Sequence, residues 1–448
     1  MTVHVDDVLS GRTGALGVRG ALRSSSLRRR VRGLLMDALA RPTPLGPCRL
    51  RRTKFKPGRK LTAYLDADIA GHGGPRAIAV TWEAAGGATD GPSAHEAALE
   101  AEAGRRGLRT PFRRLTAEAR DVRMRVDIAP LDAAFPQLVR LSDPAYVAEL
   151  VGGSTRFEVV TVRYRPRQRH VLLYRPAAAH HGPTLFAKLY RDDAGAREHL
   201  VALAVADLLD EARDCAGARP LAYLDHDDRA VLFASLPGRP LSTCLRGGTR
   251  AAGVHLRQGG AALRRLHAAP AELSALVEPH AVEAELIATE RASEAIQHLL
   301  PSSGAAVRDI LARTRDLLDQ VPAEPACFVH GDYKADHLLV GRAGVTLIDF
   351  DRCARSEPAL DLAKFLADVR WWTERRPGAV ASAQAEFLAG YGPTSRPRLA
   401  RARVLEPLLL LKMTARRVPV HEPDWDGRTA ALVARADQLL RDVEGARP

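Results

Sequence analysis

The sequence predicts an α+β chain. Two observations predict it: strand-like runs crowd into the first half of the 448 residues, and the rest reads mostly as helix. A doubly wound sheet would alternate the two throughout. A third observation divides the chain further. Residues 54–65 (KFKPGRKLTAYL) and 163–174 (RYRPRQRHVLLY) repeat one pattern at an offset of 109. Each has basic, aromatic, basic and Pro, a basic turn, then an apolar run suited to the return strand of a hairpin.

Each copy is followed by a third strand-like segment, residues 77–83 (AIAVTWE) in the first and 185–190 (LFAKLY) in the second. Each is also preceded by a helical pattern. In the first, Leu27, Val31, Leu34, Leu35 and Ala38 share one face, with Ser26 as the expected N-cap. In the second, residues 144–151 play that part before Gly152 and Gly153. The expectation is a helix plus a three-stranded antiparallel meander, twice. Between the copies, 86–92 reads as a linker, 95–105 as a helix and 120–128 as a strand. After them come a helix over 194–211, a strand over 229–234 and a loop over 236–240. Three units follow: an N-terminal extension over 1–142, a second unit over 143–236 and a large, mostly helical unit over 237–448.

A hydrophobic content of 46% excludes a disordered or collagen-like chain. The net charge is +13, and residues 1–60 hold 15 basic and 3 acidic side chains, so the remainder is nearly neutral. A polybasic arm attracts nucleic acid or anionic membrane. Here the basic residues are interleaved with an apolar pattern, which instead suits the solvent face of ordinary helices. Five scattered cysteines with no CxxC spacing give neither a disulfide framework nor a zinc site. The N-terminus lacks the apolar core of a signal peptide, and the run 408–411 is too short to span a bilayer. The expectation is a cytoplasmic protein with no membrane or nucleic-acid partner. Asparagine is absent, and only seven of the 66 basic residues are lysine.

The chemistry concentrates in residues 327–361 (CFVHGDYKADHLLVGRAGVTLIDFDRCARSEPALD). One apolar run ends in His330-Gly331-Asp332, and a second, 345–348, ends in Asp349-Phe350-Asp351. The turn Gly341-Arg342-Ala343-Gly344 makes a hairpin between them, so Asp332 and Asp349 should converge. Two carboxylates at converging loop ends, with His337 between them in sequence, suit a divalent cation.

These residues resemble the catalytic and metal-binding loops of the protein-kinase-like superfamily. His330-Gly331-Asp332, Ile348-Asp349-Phe350-Asp351, Pro358 and Asp361-Leu362-Ala363 are similar to its aminoglycoside/choline phosphotransferase branch, and the loop HGDYKADH matches the maltokinase-like pattern in part. The resemblance covers roughly residues 150–400. It implies a bilobal protein-kinase-like fold whose N-terminal extension partly repeats the small lobe. Residues 143–236 would be the nucleotide-binding small lobe and 237–448 the catalytic and acceptor-binding lobe. It further implies ATP and Mg²⁺ (or Mn²⁺) as cofactors. Asp332 would be the base that accepts or orients the acceptor's proton, and Lys334 would neutralise the migrating phosphoryl group. Asp349 would chelate the metal, with His337 and Asp351 as further contacts. Lys188 would hold nucleotide phosphates, Glu198 would be its ion-pair partner, and Phe233 and Leu236 would flank the adenine at the hinge. Residues 263–267 resemble the helix before the catalytic loop.

Lysine scarcity bears on the same residues independently. In a chain that otherwise uses arginine, a compact ammonium at Lys188 and Lys334 is a functional distinction, because a planar fork does not replace it. Two departures stand out. The family usually has Asn where this chain has His337, and oxygen is preferred by a cation as hard as Mg²⁺. There is also no glycine-rich loop; residues 166–169 (PRQR) occupy that turn.

The implied activity is transfer of the γ-phosphoryl group of ATP to a hydroxyl of a small molecule such as a sugar, an antibiotic or another secondary metabolite. The basic composition argues against a polycationic acceptor, and Trp371 and Trp372 are a candidate stacking surface for a sugar. The alternatives are a nucleotide-binding pseudokinase acting as an interaction protein, motivated by His337, and a kinase of a peptide Ser/Thr.

Overall fold

Three helices open the chain: α1 (Val5–Leu9), α2 (Gly14–Arg23) and α3 (Ser25–Ala38). The computed structural model describes residues 5–446 except 73, 86–92, 153–154, 179–181, 213 and 377; the expected linker 86–92 and Gly153 lie outside the described residues. The cap of α3 is Ser24, two residues before the expected Ser26, and its hydroxyl accepts from Leu27 N at 3.5 Å. The apolar stripe is as read, with Val31, Leu35 and Ala38 buried.

Strands β1 (Leu45–Lys56), β2 (Lys60–Ile69) and β3 (Arg76–Glu83) form the first meander, followed by α4 (Ala94–Arg105), β4 (Thr116–Ala119) and β5 (Met124–Ile128). The strand expected over 120–128 is thus shorter. Residues Arg120–Val122 form a 3₁₀ turn, Arg123 takes φ 45°, and the strand begins only at Met124. After α5 (Gln137–Leu141) and α6 (Pro144–Val151) come β6 (Phe157–Arg165), β7 (Arg169–Pro176), β8 (Leu185–Leu189), α7 (Ala194–Asp210), β9 (Cys215–Gly217), β10 (Pro220–Leu224) and β11 (Ala230–Ala234).

The repeat extends beyond the meander. The first sheet runs β1-β2-β3-β5-β4 and the second β6-β7-β8-β11-β10, one topology used twice, each with a helix after its third strand. The tight turns correspond residue for residue, since Gly58 (φ 66°) and Arg167 (φ 62°) lie 109 apart and both take the left-handed conformation. Cross-strand register then identifies the counterpart of Lys188. Val171 pairs with Lys188, and its equivalent Thr62 pairs with Thr81. The 109 offset alone would give Ala79, or Val80 with a one-residue gap. The difference arises because the loop joining the second and third strands is two residues shorter in the second copy.

The large lobe begins with β12 (Arg239–Pro240), inside the expected loop, and α8 (Leu241–Gly247), α9 (Thr249–His267) and α10 (Ala271–Ala275). Next come α11 (Val282–Leu299), α12 (Pro301–Asp319), β13 (Cys327–Val329), β14 (Leu338–Gly341), β15 (Gly344–Leu347) and β16 (Ala354–Ser356). It closes with α13 (Ala359–Thr373), α14 (Ala379–Tyr391), α15 (Arg396–Arg417) and α16 (Trp425–Gly445). The β14–β15 hairpin pairs as expected, and β9 joins it in parallel. Gly344 permits that approach: its φ is 117°, and a Cβ there would stand 2.0 Å from Asp214 O.

The N-terminal extension touches both lobes. On the small-lobe side, Tyr164 Oη donates to Leu131 O at 2.6 Å, and His170 Nε2 lies 2.7 Å from Asp132. On the large-lobe side, Arg19 makes a two-pronged contact with Asp426 at 2.9 and 3.2 Å, and Arg59 pairs with Glu294. Among the described residues, no helix is long and apolar enough to cross a membrane.

Candidate active site

The β13 strand delivers His330-Gly331-Asp332 to the mouth of a cleft of about 810 Å³ between the lobes. Gly331 is required there: its φ is 72°, and a Cβ would stand 2.0 Å from Arg352 O. Fully buried Asp361, at the start of α13, accepts from His330 N at 2.6 Å and Gly331 N at 2.9 Å. Asp368, one helical face along, accepts from Ala335 N at 2.7 Å and pairs with Arg417 at 2.6 Å. Two buried carboxylates on one helix thus fix both halves of the loop that carries Asp332, Lys334 and His337.

The hairpin returns the chain to Asp349, as expected. Asp349 is a non-glycine residue at φ 68°, a sparsely populated conformation that the surrounding contacts hold in place. One carboxylate oxygen lies 2.6 Å from Lys188 Nζ, and the other lies 3.2 Å from His337 Nε2. Lys188 also meets Glu198 at 2.6 Å and Asp351 at 2.7 Å, and Asp351 further accepts from Tyr190 Oη at 2.8 Å and pairs with Arg169. Lys334 contacts Asp332 at 2.5 Å. Seven of the nine sequence-predicted residues therefore converge: Asp332, Lys334, Lys188, Glu198, Asp349, His337 and Asp351. Phe233, on β11, and Leu236, on the strap leading to β12, are not among the residues lining this cleft.

The electrostatics follow from burial opposed by charge. Burial alone would raise Asp332, but Lys364 (3.2 Å away) and Lys334 outweigh it and hold the carboxyl below its ordinary range. Asp349 is likewise held well below its ordinary value, because Lys188 overcomes its burial. Glu198 is raised, since for that side chain burial outweighs Lys188. Burial lowers His337 to about 3, so its imidazole is neutral. With Nε2 facing Asp349, Nδ1 is buried without a hydrogen-bond partner among the described residues and lies 3.9 Å from Asp332.

That orphaned nitrogen tests whether a divalent cation would fit. Donor atoms of Asp332, His337 and Asp349 lie within 4.8 Å of one another, and so do those of Glu198, Asp349 and Asp351. Several carboxylate oxygens and one neutral imidazole form a donor set compatible with Mg²⁺ and, through the nitrogen, with Mn²⁺.

Sequence reasoning missed Lys364 and Lys412. Lys364 reaches Asp332 from α13, and Lys412 reaches Glu285 at 2.5 Å. The signal was the rarity of lysine. Lys334, Lys364 and Lys412 line the cleft, and Lys188 binds three of its carboxylates. Lys54 and Lys56 line an adjoining cavity, and Lys60 lines a smaller one against the first sheet. Trp371 and Trp372, the candidate stacking surface, face arginines instead: Arg417 lies 5.5 Å from both rings and Arg246 4.3 Å from Trp372.

The profile of the phosphotransferase enzyme family matches residues 173–403. No curated protein matches the chain. Among solved structures, the macrolide 2'-phosphotransferase MphH of Brachybacterium faecium aligns at 18% identity over 64% of this chain and 96% of its own, with a TM-score of 0.40. The aminoglycoside phosphotransferase APH(3'')-Id of Streptomyces rimosus aligns at 24% identity over 59% and 97%, with a TM-score of 0.42. A choline/ethanolamine kinase family protein of Mesorhizobium loti aligns at 16% identity over 67% and 98%, with a TM-score of 0.45.

Asp361→Ala leaves two loop N–H groups without their acceptor, at about 1–3 kcal/mol for each group that stays buried and unpaired. Thermal denaturation should show a clear loss of stability. An unchanged midpoint would mean that the loop does not depend on this carboxylate.

Proposed function

This chain belongs to the phosphotransferase enzyme family, and we propose that it moves the γ-phosphoryl group of ATP to a hydroxyl of a small molecule. The observation that carries this reading is the meeting, in one cleft, of Asp332 and Asp349 from either side of a hairpin with the Lys188–Glu198 pair of the opposite lobe. Phosphoryl transfer asks mainly for positioning and charge neutralisation, and this constellation supplies both.

Lys188, held by Glu198, orients the nucleotide phosphates, and the end of β11 with Phe233 and the strap after it with Leu236 take the adenine. Asp349, with Asp351 and His337, would hold a divalent cation, which would supply neutralisation of phosphate charge. Asp332 orients the acceptor hydroxyl. A carboxylate held this far on the ionised side is a weak base, so it aligns the oxygen and takes the proton only late, as a loose transition state allows. Lys334 lies against Asp332 and compensates charge on the moving group. Residues 143–236 and 237–448 are the two working lobes in this reading, and 1–142 is a non-catalytic copy of the first.

The acceptor is not a polycation in this reading. Asp368 is tied to Arg417 and to the catalytic loop, Glu374 pairs with Arg435, and Glu357 and Glu386 pair with Arg401 and Arg257. None of these carboxylates is left to face an aminoglycoside. A second reading, a nucleotide-binding protein without turnover, draws its support from His337 alone.

ADP release with Mg²⁺ or Mn²⁺ separates the two. Turnover with an acceptor panel is expected, and Asp332→Asn should lower kcat by roughly 10²–10⁴. Nucleotide-induced stabilisation with no turnover would favour the second reading, and an unchanged rate in the variant would remove Asp332 from its role.

The pH profile gives a further check. Asp332 works ionised, so activity is lost as pH falls through its pKa, which lies below the ordinary value of about 3.9. In Lys364→Met, burial acts with less opposition and the pKa rises. The acid limb of kcat/KM should therefore move to higher pH, and an unmoved limb would show that Lys364 does not set this ionisation.

A further inference from the structure

We propose that the cavity between the β1–β2 hairpin and helices α11 and α15 is the acceptor subsite, and that the acceptor is an anionic hydroxyl compound bearing a phosphate or carboxylate group. This rests on the phosphotransferase reading. The cavity measures about 860 Å³, within the usual range for a small-molecule site and too small for a folded polymer. It adjoins the catalytic cleft: Arg52, Arg165, Gln168, Arg352 and Arg416 line both. A molecule seated in it would reach the cleft that holds Asp332 along these shared residues.

The charge is arranged rather than merely abundant. Along β1, Arg49 and Arg51 are satisfied by Asp68 and Asp66 of β2. Arg52, Lys54 and Lys56 line the cavity together with the buried Thr53 and Phe55 between them. Among the described residues these three cations, with Arg165, Arg291, Arg352 and Arg416, form no ion pair with a carboxylate. Arg52 donates to Arg416 O at 2.9 Å and Lys54 to Gln168 Oε1 at 3.0 Å, both neutral acceptors. The one acid in the lining, Glu294, is taken by Arg59.

Such crowding costs free energy while the cavity holds no anion. Removal from water, then Lys56, Arg165 and Arg52, push Lys54 down to about 8, and burial with Arg52 and Arg163 pushes Arg165 to about 10. An anion would offset the repulsion among these cations. On the opposite wall, α11 contributes an apolar stretch, Ala284, Ile287 and Ala288, one turn before Arg291, with Ile287 40% exposed. The site thus fits a compound with an anionic head and an apolar edge. Three of the seven lysines lie on this one hairpin, two of them in the cavity lining, in a chain that otherwise uses arginine.

The test is calorimetric titration of the full chain with its nucleotide site saturated by a non-hydrolysable ATP analogue. The probes are glucose 6-phosphate, glycerol 3-phosphate and gluconate, each against its neutral counterpart, with glucosamine as a cation. At least one anion should bind about tenfold or more tightly than its neutral counterpart, and Lys56→Ala/Arg291→Ala should abolish that preference. With ATP, the same variant should raise KM for the anionic acceptor about tenfold or more and leave KM for ATP unchanged. Equal or reversed preference in the wild type, or a preference that survives in the variant, would overturn the proposal. Absence of ADP release with every acceptor would instead strike the phosphotransferase reading, and the titration would still decide the anion site.

Discussion

One ammonium group organises this molecule. Lys188 Nζ lies within 2.7 Å of carboxylates from Glu198, Asp349 and Asp351, drawn from α7 and from the loop after the β14–β15 hairpin. A buried lysine facing three carboxylates leaves local negative charge in excess, and such an excess is costly away from water. Arg169 from the β6–β7 turn offsets part of it, and a divalent cation would offset more. The cluster draws on both lobes, so the electrostatics that prepare the cleft also dock the lobes. The positive φ of Asp349, the hairpin and the closely packed Gly344 are geometric requirements of the same cluster.

The N-terminal extension shows the same sheet without the lysine. Its sheet keeps the strand order of the small lobe, but Thr81 stands in the register of Lys188. The cation sits one strand over, on Arg125, which pairs directly across from Thr81 and reaches Glu96 of α4 at 2.6 Å and Asp127 at 2.7 Å. The helix-to-sheet ion pair is thereby kept. The open face is filled by the β6–β7 turn of the second copy: Arg167 N donates to Asp132, and the Gln168 side chain meets Tyr64 Oη at 3.1 Å. A turn that carries glycines in related enzymes is held here by a docked neighbour, which suits the PRQR sequence. The copy braces the β6–β7 turn and forms one wall of the basic cavity.

Much of the site was legible because it depends on local rules. A four-residue turn bounded by glycines fixes a hairpin, and a hairpin fixes the approach of Asp332 to Asp349. The rarity of lysine marked Lys188 and Lys334. What stayed hidden depends on long-range packing. Lys364 and Lys412 lie within apolar helical runs and read as isolated charges on core helices; only the packing of α13 and α15 beneath the cleft gives them acidic partners. Asp361, in contrast, stands in the Asp361-Leu362-Ala363 motif of the resemblance, and the structure makes it the brace of the loop. The full extent of the repeat was concealed by a four-residue β4 and by a loop two residues shorter in one copy, which shifts the apparent partner of Lys188 from Thr81. The stacking role of Trp371 and Trp372 fails because arginines from α8 and α15 already cover them. No periodicity within α13 would reveal that.

The central claim is that a compact ammonium at position 188 prepares the cleft. The most direct measurement is the rate of phosphoryl transfer in Lys188→Arg, with thermal denaturation to confirm the fold. In a chain rich in arginine this change keeps the charge and alters only its shape. A guanidinium fork cannot converge on three carboxylate oxygens from a single point. The account predicts a fall in kcat/KM for ATP of about 100-fold or more with the fold retained. A variant with wild-type turnover would contradict it.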